Sequence, residues 1–414
     1  VDWLATMRAQ ALAIADELGV PTSQIEEWRY SHIDDLDLSA IAPESREGRT
    51  ETAPIPEAED DSWIATAALW GSRISAIVQH TGVDGLLVGP APSSMRFTGG
   101  AAAFPGAVDY FDAMNLAHTL EPLVVDVAAG AQLGGPVLVS ITAPPRVVSM
   151  PRIFVRCGER SVASVMVWIT GGEAAAVVPR ISLDIGASAR CELAVVNDVA
   201  RDAVMIGGVT AEVAGFANLQ LGYAGVGGKY ARARFDTNLN GGGAEADLYS
   251  VYLGSGDQRH DLRTFQRHLG RDTTSKLEFH GAGADRSHLV YTGLIQVAPD
   301  ARGTDASQTN RNLKLSEDAW AESVPNLEIL NNDVRCSHAS SIGTIDEDQR
   351  FYLESRGVPE AEAERLLLSG FFQQVIGESP LAGWGHALGE LLDPQRAGSV
   401  VTAATPVAGG GALS

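Results

Sequence analysis

The amino-acid sequence predicts a mainly β protein: a right-handed parallel β-helix, flanked by an N-terminal mixed helical domain and a short C-terminal helical domain. Three observations predict it. Among 414 residues, 44 are glycine and only 6% are aromatic, while 45% are hydrophobic. That mix suits many short strands joined by tight turns better than a helical bundle. A degenerate motif of a short strand-like piece followed by small residues recurs along the middle of the chain. Where it stops, helix start and stop signals follow at once.

The N-terminal 45 residues or so read as helical, with Leu12, Ile14, Leu18 and Val20 near helical spacing. Gly19 and Pro21 break this helix, and Thr22 or Ser23 is placed to cap a second one. The acidic, proline-bearing stretch from Ala42 to Ser62 reads as a surface linker. Short apolar runs punctuated by Gly and Pro follow from Trp63 to Pro105. A helix over Asp109–Pro122 closes a first domain of residues 1–121.

Residues 122–345 carry the repeat. "VDVAAGA", "LDIGASA", "AEVAGFA" and "NLNGGGA" align on Asp126, Asp184, Glu212 and Asn240, and Arg156 of "FVRCGER" fits between the first two. The successive separations are 30, 28, 28 and 28 residues, and His268 and Gln296 continue the series at 28 each. Such a period signals a repeat architecture. Each unit holds two strands and two turns, and the intervening runs of Val, Ile and Leu favour strands. Small residues permit the tight corners. Stacked coils would bury their inward side chains against one another.

An open solenoid end must be capped or paired. Here it meets residues 346–378. Thr344 or Asp346 can cap a helix with Glu347 and Asp348 in its first turn, and Gly357 stands where a left-handed C-terminal residue belongs. Pro359 opens a second helix led by Glu360, Glu362 and Glu364. That helix bears two apolar stripes, Leu367–Phe371–Val375 and Leu368–Phe372–Ile376, wider together than one docking face needs. Part of this face is therefore a candidate partner surface. Residues 379–414 read as a low-complexity tail.

Composition excludes several functions. The net charge of -22 disfavours nonspecific nucleic-acid binding and anionic membranes. There is no run of roughly 18 apolar residues that would cross a bilayer. The N-terminus reads as an amphipathic helix and not as a leader peptide. Three cysteines (Cys157, Cys191, Cys336) without a C-x-x-C pair argue against a disulfide framework or a self-contained zinc site, and fit a cytoplasmic location. The Gly-rich runs lack a following G-K-[ST], so they make no phosphate loop. Cys157 and Cys191 read as core; His260, His268, His280 and His288 read as surface or interface residues.

Cys336 and His338, in "DVRCSHASSIGTIDEDQRFYLESRGV", are the residues with metal-binding chemistry. A thiolate suits iron–sulfur chemistry and imidazole also binds iron. In a strand, residues i and i+2 project to one face, so the pair can address one site. Two ligands alone do not hold a cluster. The plain alternative is a hydrogen-bonded interface histidine and a buried, inert cysteine.

The same stretch, with the following "AERLLLSGFF", resembles the C-terminal hallmark of the SufB/SufD family of iron–sulfur cluster assembly proteins. "DRSHLVYTGLIQVAPDARGTDASQTNRNLKLS" and "EEWRYSHIDDL" resemble its upstream and N-terminal segments. The likeness covers most of the chain and is dense from about 285 to 376. It is closer to the SufD branch. SufB members carry a cysteine in a "TQCDSLL"-like run, where Arg311 stands here between Asn310 and Asn312, and they usually place a glutamate where Ala339 stands. "Ala-Ser-Ser" at Ala339–Ser341 replaces the usual "Gly-Ala-Thr", adding a Cβ at a position that reads as a turn.

The resemblance implies a non-catalytic scaffold that pairs with SufB and docks the SufC ATPase. It implies metal ligation at His338 and Cys336. A nascent iron–sulfur cluster or iron would be held transiently and shared with SufB. Asn310, Arg311, Asn312, Cys336 and His338 would lie at the SufB interface, and Phe351, Tyr352, Arg356, Leu367, Leu368, Phe371 and Phe372 would meet SufC. Some complexes of this family also bind reduced flavin, and a homodimer of the isolated chain is compatible with the resemblance. Two rivals are a secreted-type β-helix enzyme acting on acidic polysaccharide and a metal-free structural solenoid. Fold analogy alone supports the former.

Overall fold

A computed structural model describes residues 3–36, 51, 63–79, 83–91 and 107–393. The linker read over Ala42–Ser62, Glu51 apart, lies outside the described residues, as does the chain beyond Asp393.

The described strands are β1 (Ala65–Trp70), β2 (Arg73–Gln79), β3 (Leu86–Pro90), β4 (Leu123–Val127), β5 (Val137–Ala143), β6 (Val148–Ser149), β7 (Arg152–Cys157), β8 (Val162–Gly171), β9 (Ala176–Val177), β10 (Arg180–Ile185) and β11 (Arg190–Val199). They continue as β12 (Val204–Val213), β13 (Asn218–Gly225), β14 (Tyr230–Leu239), β15 (Glu245–Gly254), β16 (Arg259–His268), β17 (Thr274–Gly283), β18 (His288–Val297), β19 (Asp305–Lys314), β20 (Trp320–Ile329) and β21 (Arg335–Gly343). The chain alternates between two sheets, each coil giving one strand to each. One sheet runs β2-β1-β5-β8-β11-β13-β15-β17-β19-β21, the other β20-β18-β16-β14-β12-β10-β7-β4-β3, with β6 and β9 beside the latter. Pairing is parallel except where β2 meets β1 and β3 meets β4. This is the expected parallel β-solenoid. Its sheets begin before residue 122: β1 and β3 continue them within the stretch read as a separate N-terminal domain.

The repeat is real, but its period drifts. Register joins Asp126, Arg156, Asp184 and Glu212 as expected, then continues through Asn238, Arg267 and Gln296. Asn240 lies just past β14, though its amide still donates to Glu212 at 2.7 Å. His268 falls on the opposite, inward face and is fully buried. A fixed spacing of 28 fails because the corner loops gain and lose residues between coils. The corners themselves stack closely. A Cβ on Gly241 would lie 2.1 Å from the Gly215 nitrogen, so only glycine lets these two turns approach.

The interior is a continuous apolar core of inward-facing columns, among them Val165, Leu193, Leu221, Leu248 and Leu277. α1 (Trp3–Leu18) ends at Gly19, whose φ of 68° stops it. No second helix capped by Thr22 or Ser23 follows; Glu26–Trp28 and Ile33–Asp35 are short 3₁₀ turns instead. They lie on the second sheet because an arginine-rich patch holds them there. Arg232 stacks over Trp28 at 3.8 Å, and Arg234 pairs with Glu27 at 3.0 Å. α2 (Tyr110–His118), capped by Asp109, packs against α1 and turns Asp109 and Asp112 to Arg180 and Arg152.

α3 (Glu347–Ser355) is capped by Asp346, which accepts from two backbone amides, and the chain turns at Gly357 with φ 88°. α4 (Glu360–Ile376) starts after Pro359 and lies against the first sheet. Part of the stretch read as a tail from residue 379 is helical. Pro380–Trp384 is a 3₁₀ helix and α5 (Gly385–Leu391) follows, with Leu381, Trp384 and Leu388 buried against Met166 and Trp168. Isolated apolar residues in a glycine-rich stretch suffice here, because the sheet supplies the surface that covers them.

Candidate functional site

Cys336 and His338 stand on β21, the last strand of the first sheet. In-register pairing sets them directly above Ala306 and Gln308 of β19, both buried inward-facing residues. His338 thus ends the column that runs through Leu248, Leu277 and Gln308. Cys336 ends the next column, above Ser275 and Ala306. In any earlier coil these two side chains would be core. Here no further coil covers them, so His338 is exposed and Cys336 is partly covered by Ile295, Val297 and Ala301. Ala339–Ser341 lie within the strand and not in a turn, so the extra Cβ meets no turn constraint.

The interior turns polar as it nears this end. Asn310 and Asn312 point inward, fully buried, and bond to the Tyr252 hydroxyl at 3.0 and 2.7 Å. They are therefore not surface residues for a partner, which corrects the reading of both. Arg311 between them faces outward, half-exposed, 4.0 Å from Glu278. The same alternation turns His260 and His268 inward, and α4 covers outward-facing His280, so three of the four histidines are corrected. His260, His268 and His280 are buried, and only His288 keeps substantial exposure.

Burial, helped by the nearby Asp305 charge, raises the Cys336 thiol above its ordinary value. It is a thiol and not a thiolate at neutral pH until a metal or another positive charge arrives. Among the described residues no cluster of three or more His, Cys, Asp or Glu could hold a metal ion by itself. Cys336 and His338 are two donors, and two protein ligands alone do not hold a cluster. Both sheets end here on exposed edge strands, β20 and β21, with Trp320, Leu327, Ile329, Leu330 and Ile342 exposed. Unpaired strand edges beside exposed apolar side chains make a surface able to pair with another sheet.

The second candidate surface divides into covered and open residues. Leu368 and Phe372 are buried with Val375 and Ile376 against the first sheet, so they anchor α4 instead of presenting it to a partner. Phe371 is stacked on His280. α3 has no buried residue: Phe351 is 71% exposed and Tyr352 57%, with Arg356 over the Tyr352 ring. Between the helices, Asp346, Asp348, Gln349, Tyr352, Leu353 and Leu367 line a cavity of about 380 Å³. Arg350 ties α3 to Glu364 of α4 at 3.2 Å. What sequence reasoning missed was the anchoring role of the N-terminal "EEWRY" piece and of His280. Each partner lies roughly 90 to 200 residues away in the chain, so no local pattern signals them.

The profile of a family described as "SUF system FeS cluster assembly, SufBD core domain" matches residues 140–371, more than half the chain. An iron-sulfur cluster assembly SufBD family protein of Mycobacterium bovis is 32% identical over 264 residues, 62% of this chain and 66% of that one. The iron-sulfur cluster assembly protein SufD of Bacillus subtilis is 37% identical over 147 residues, 36% of this chain and 34% of that one. That of Escherichia coli is 34% identical over 146 residues, 35% and 34% respectively. The chain thus matches just under two thirds of the mycobacterial relative's length and about a third of each SufD.

Proposed function

We propose, on the premise that this chain belongs to the SufBD family of iron–sulfur cluster assembly proteins, that it is a SufD-type scaffold on which a nascent cluster is held before release. The observation that carries the proposal is the placement of His338. An imidazole, a side chain whose chemistry suits iron, occupies the last described rung of an inward column, where the two sheets end on β20 and β21. Iron or a nascent cluster is the cargo of this site. His338 supplies an imidazole and Cys336 a thiol, and the remaining ligands come from the SufB partner whose solenoid end meets β20 and β21. Cys336 becomes a ligand only once its proton is lost to the metal's charge. The chain acts as a non-catalytic scaffold, and the ATPase is the SufC subunit. Exposed Phe351 and Tyr352 on α3, with Arg356 and half-buried Leu367 beside them, form the surface it docks on.

Coexpression with SufB and SufC tests the partners. The wild-type chain is expected to purify with both. The double variant Phe351→Ala/Tyr352→Ala is expected to retain SufB and lose SufC. Retrieval of neither partner by the wild-type chain would overturn the reading.

A further inference from the structure

We infer that residues 22–36 are a brace that runs along the outer face of the second sheet and sets the position of β20, the last strand of that sheet. One row of the sheet lies beneath the brace. Register joins Tyr230 of β14 to Arg259 of β16, Arg259 to His288 of β18, and His288 to Trp320 of β20. Each is the first residue of its strand. The N-terminal segment meets all four. Trp28 and Ile33 are buried in one apolar cluster with Tyr230, Phe111 and Met150. Asp35 pairs with Arg259. His32 stands edge-on to His288 with ring centroids 5.6 Å apart, and edge-on to Trp320 at 6.4 Å.

The two ends of the segment are held differently. At the inner end, three guanidinium groups fix Glu27 and Trp28. Arg232 stacks over the Trp28 ring at 3.8 Å, Arg234 donates to Glu27 Oε2 at 3.0 Å, and Arg263 donates to the Glu27 carbonyl oxygen at 2.9 Å. A guanidinium over a buried aromatic face and a charge-assisted hydrogen bond are strong anchors. The strands that carry these arginines, β14 and β16, are paired on both sides. At the outer end, the contacts with β18 and β20 are the ring contacts of His32.

The backbone of His32 is left-handed, with φ 52° and ψ 33°, a conformation that is costly for a residue with a Cβ. Glycine would form the same turn without strain, so what histidine contributes there is its ring. That ring reaches the strand with least support. Among the described residues β20 is paired along one edge only, so a contact on its outer face is a larger share of what holds it than the same contact would be on an inner strand. The brace thereby ties the rim of the sheet to its doubly paired interior. On the reading of this rim as the partner surface, on which the consequence rests, the brace presents β20 already ordered to the partner and lowers the cost of pairing.

Hydrogen exchange of the full chain without partners tests the brace strand by strand. His32→Gly keeps the left-handed turn and removes the ring, so the amides of β20 are expected to exchange about fivefold faster while those of β8 and β11 keep their rates. Trp28→Ala frees the anchored end as well, and β18 and β20 should then both exchange faster, again with β8 and β11 unchanged. Wild-type rates for β20 in His32→Gly overturn the brace, and so does an acceleration that β8 and β11 share equally. If Trp28→Ala does not fold, His32→Gly, at a side chain 41% exposed, carries the test. No partner enters the measurement. Unchanged β20 rates in a chain that still purifies with SufB refute the brace alone, and a chain that shows the brace but retrieves no SufB refutes the partner surface alone.

Discussion

His338 and Gln308 occupy the same column as Leu248 and Leu277, so parity along the strand and not local composition fixes what each side chain sees. That is why Cys336 and His338 were legible from sequence as a same-face pair, whereas His260, His268 and His280 were misread: their burial depends on which sheet face a strand presents and on what packs over it. Asp198 shows the same principle in titration. Burial at the end of β11 pushes its carboxyl from 3.8 to about 7, against a hydrogen bond from Trp168. An acid raised in the folded state binds its proton more tightly there than in the unfolded chain. The contribution of Asp198 to stability is therefore fully present below about pH 4 and is lost as pH climbs through about 7. Asp198→Asn should flatten that decline, read as the pH dependence of the urea midpoint. An unchanged slope would show that Asp198 is solvated.

Helix boundaries at α3 and α4 were legible because Asp346, Gly357 and Pro359 are local signals with local causes. Which apolar stripe is covered was not, since that depends on the facing sheet. The division gives opposite expectations for two phenylalanines. Phe372→Ala should cost about 3–5 kcal/mol of unfolding free energy, because it empties a buried site against Val251 and Leu253. Phe351→Ala should stay within about 0.5 kcal/mol of wild type, because the ring stands in solvent. Denaturant melts of both variants check the pair, and equal losses would mean that α3 is covered. Gly241→Ala is a sharper test of the corner stack. Its methyl meets backbone and not a flexible side chain, so the coil must part there and the melting temperature must fall well below that of a surface glycine variant.

The molecule as a whole is a stack of coils with different ends. At the first coils β2 and β3 close the sheets with antiparallel strands. At the other end, among the described residues, β20 and β21 each have one unpaired edge, and Cys336 and His338 stand on β21. The sequence carried the solenoid through its repeat but could not give the drifting coil length, since insertions at corners leave the buried columns intact. It could not reveal the helical segment after Pro380 either, whose few apolar residues gain order only from Met166 and Trp168 beneath them. A lysine at exposed Ile342 should block pairing at the open end without unfolding the chain, seen as loss of SufB on a sizing column at an unchanged melting temperature. The central claim is that the open end holds cargo through His338. Its most direct test is the iron and sulfide content of the anaerobically purified complex with SufB and SufC, wild type against His338→Ala. The account predicts a variant complex that assembles normally and is depleted of both iron and sulfide. A variant that assembles and keeps its full complement would contradict it.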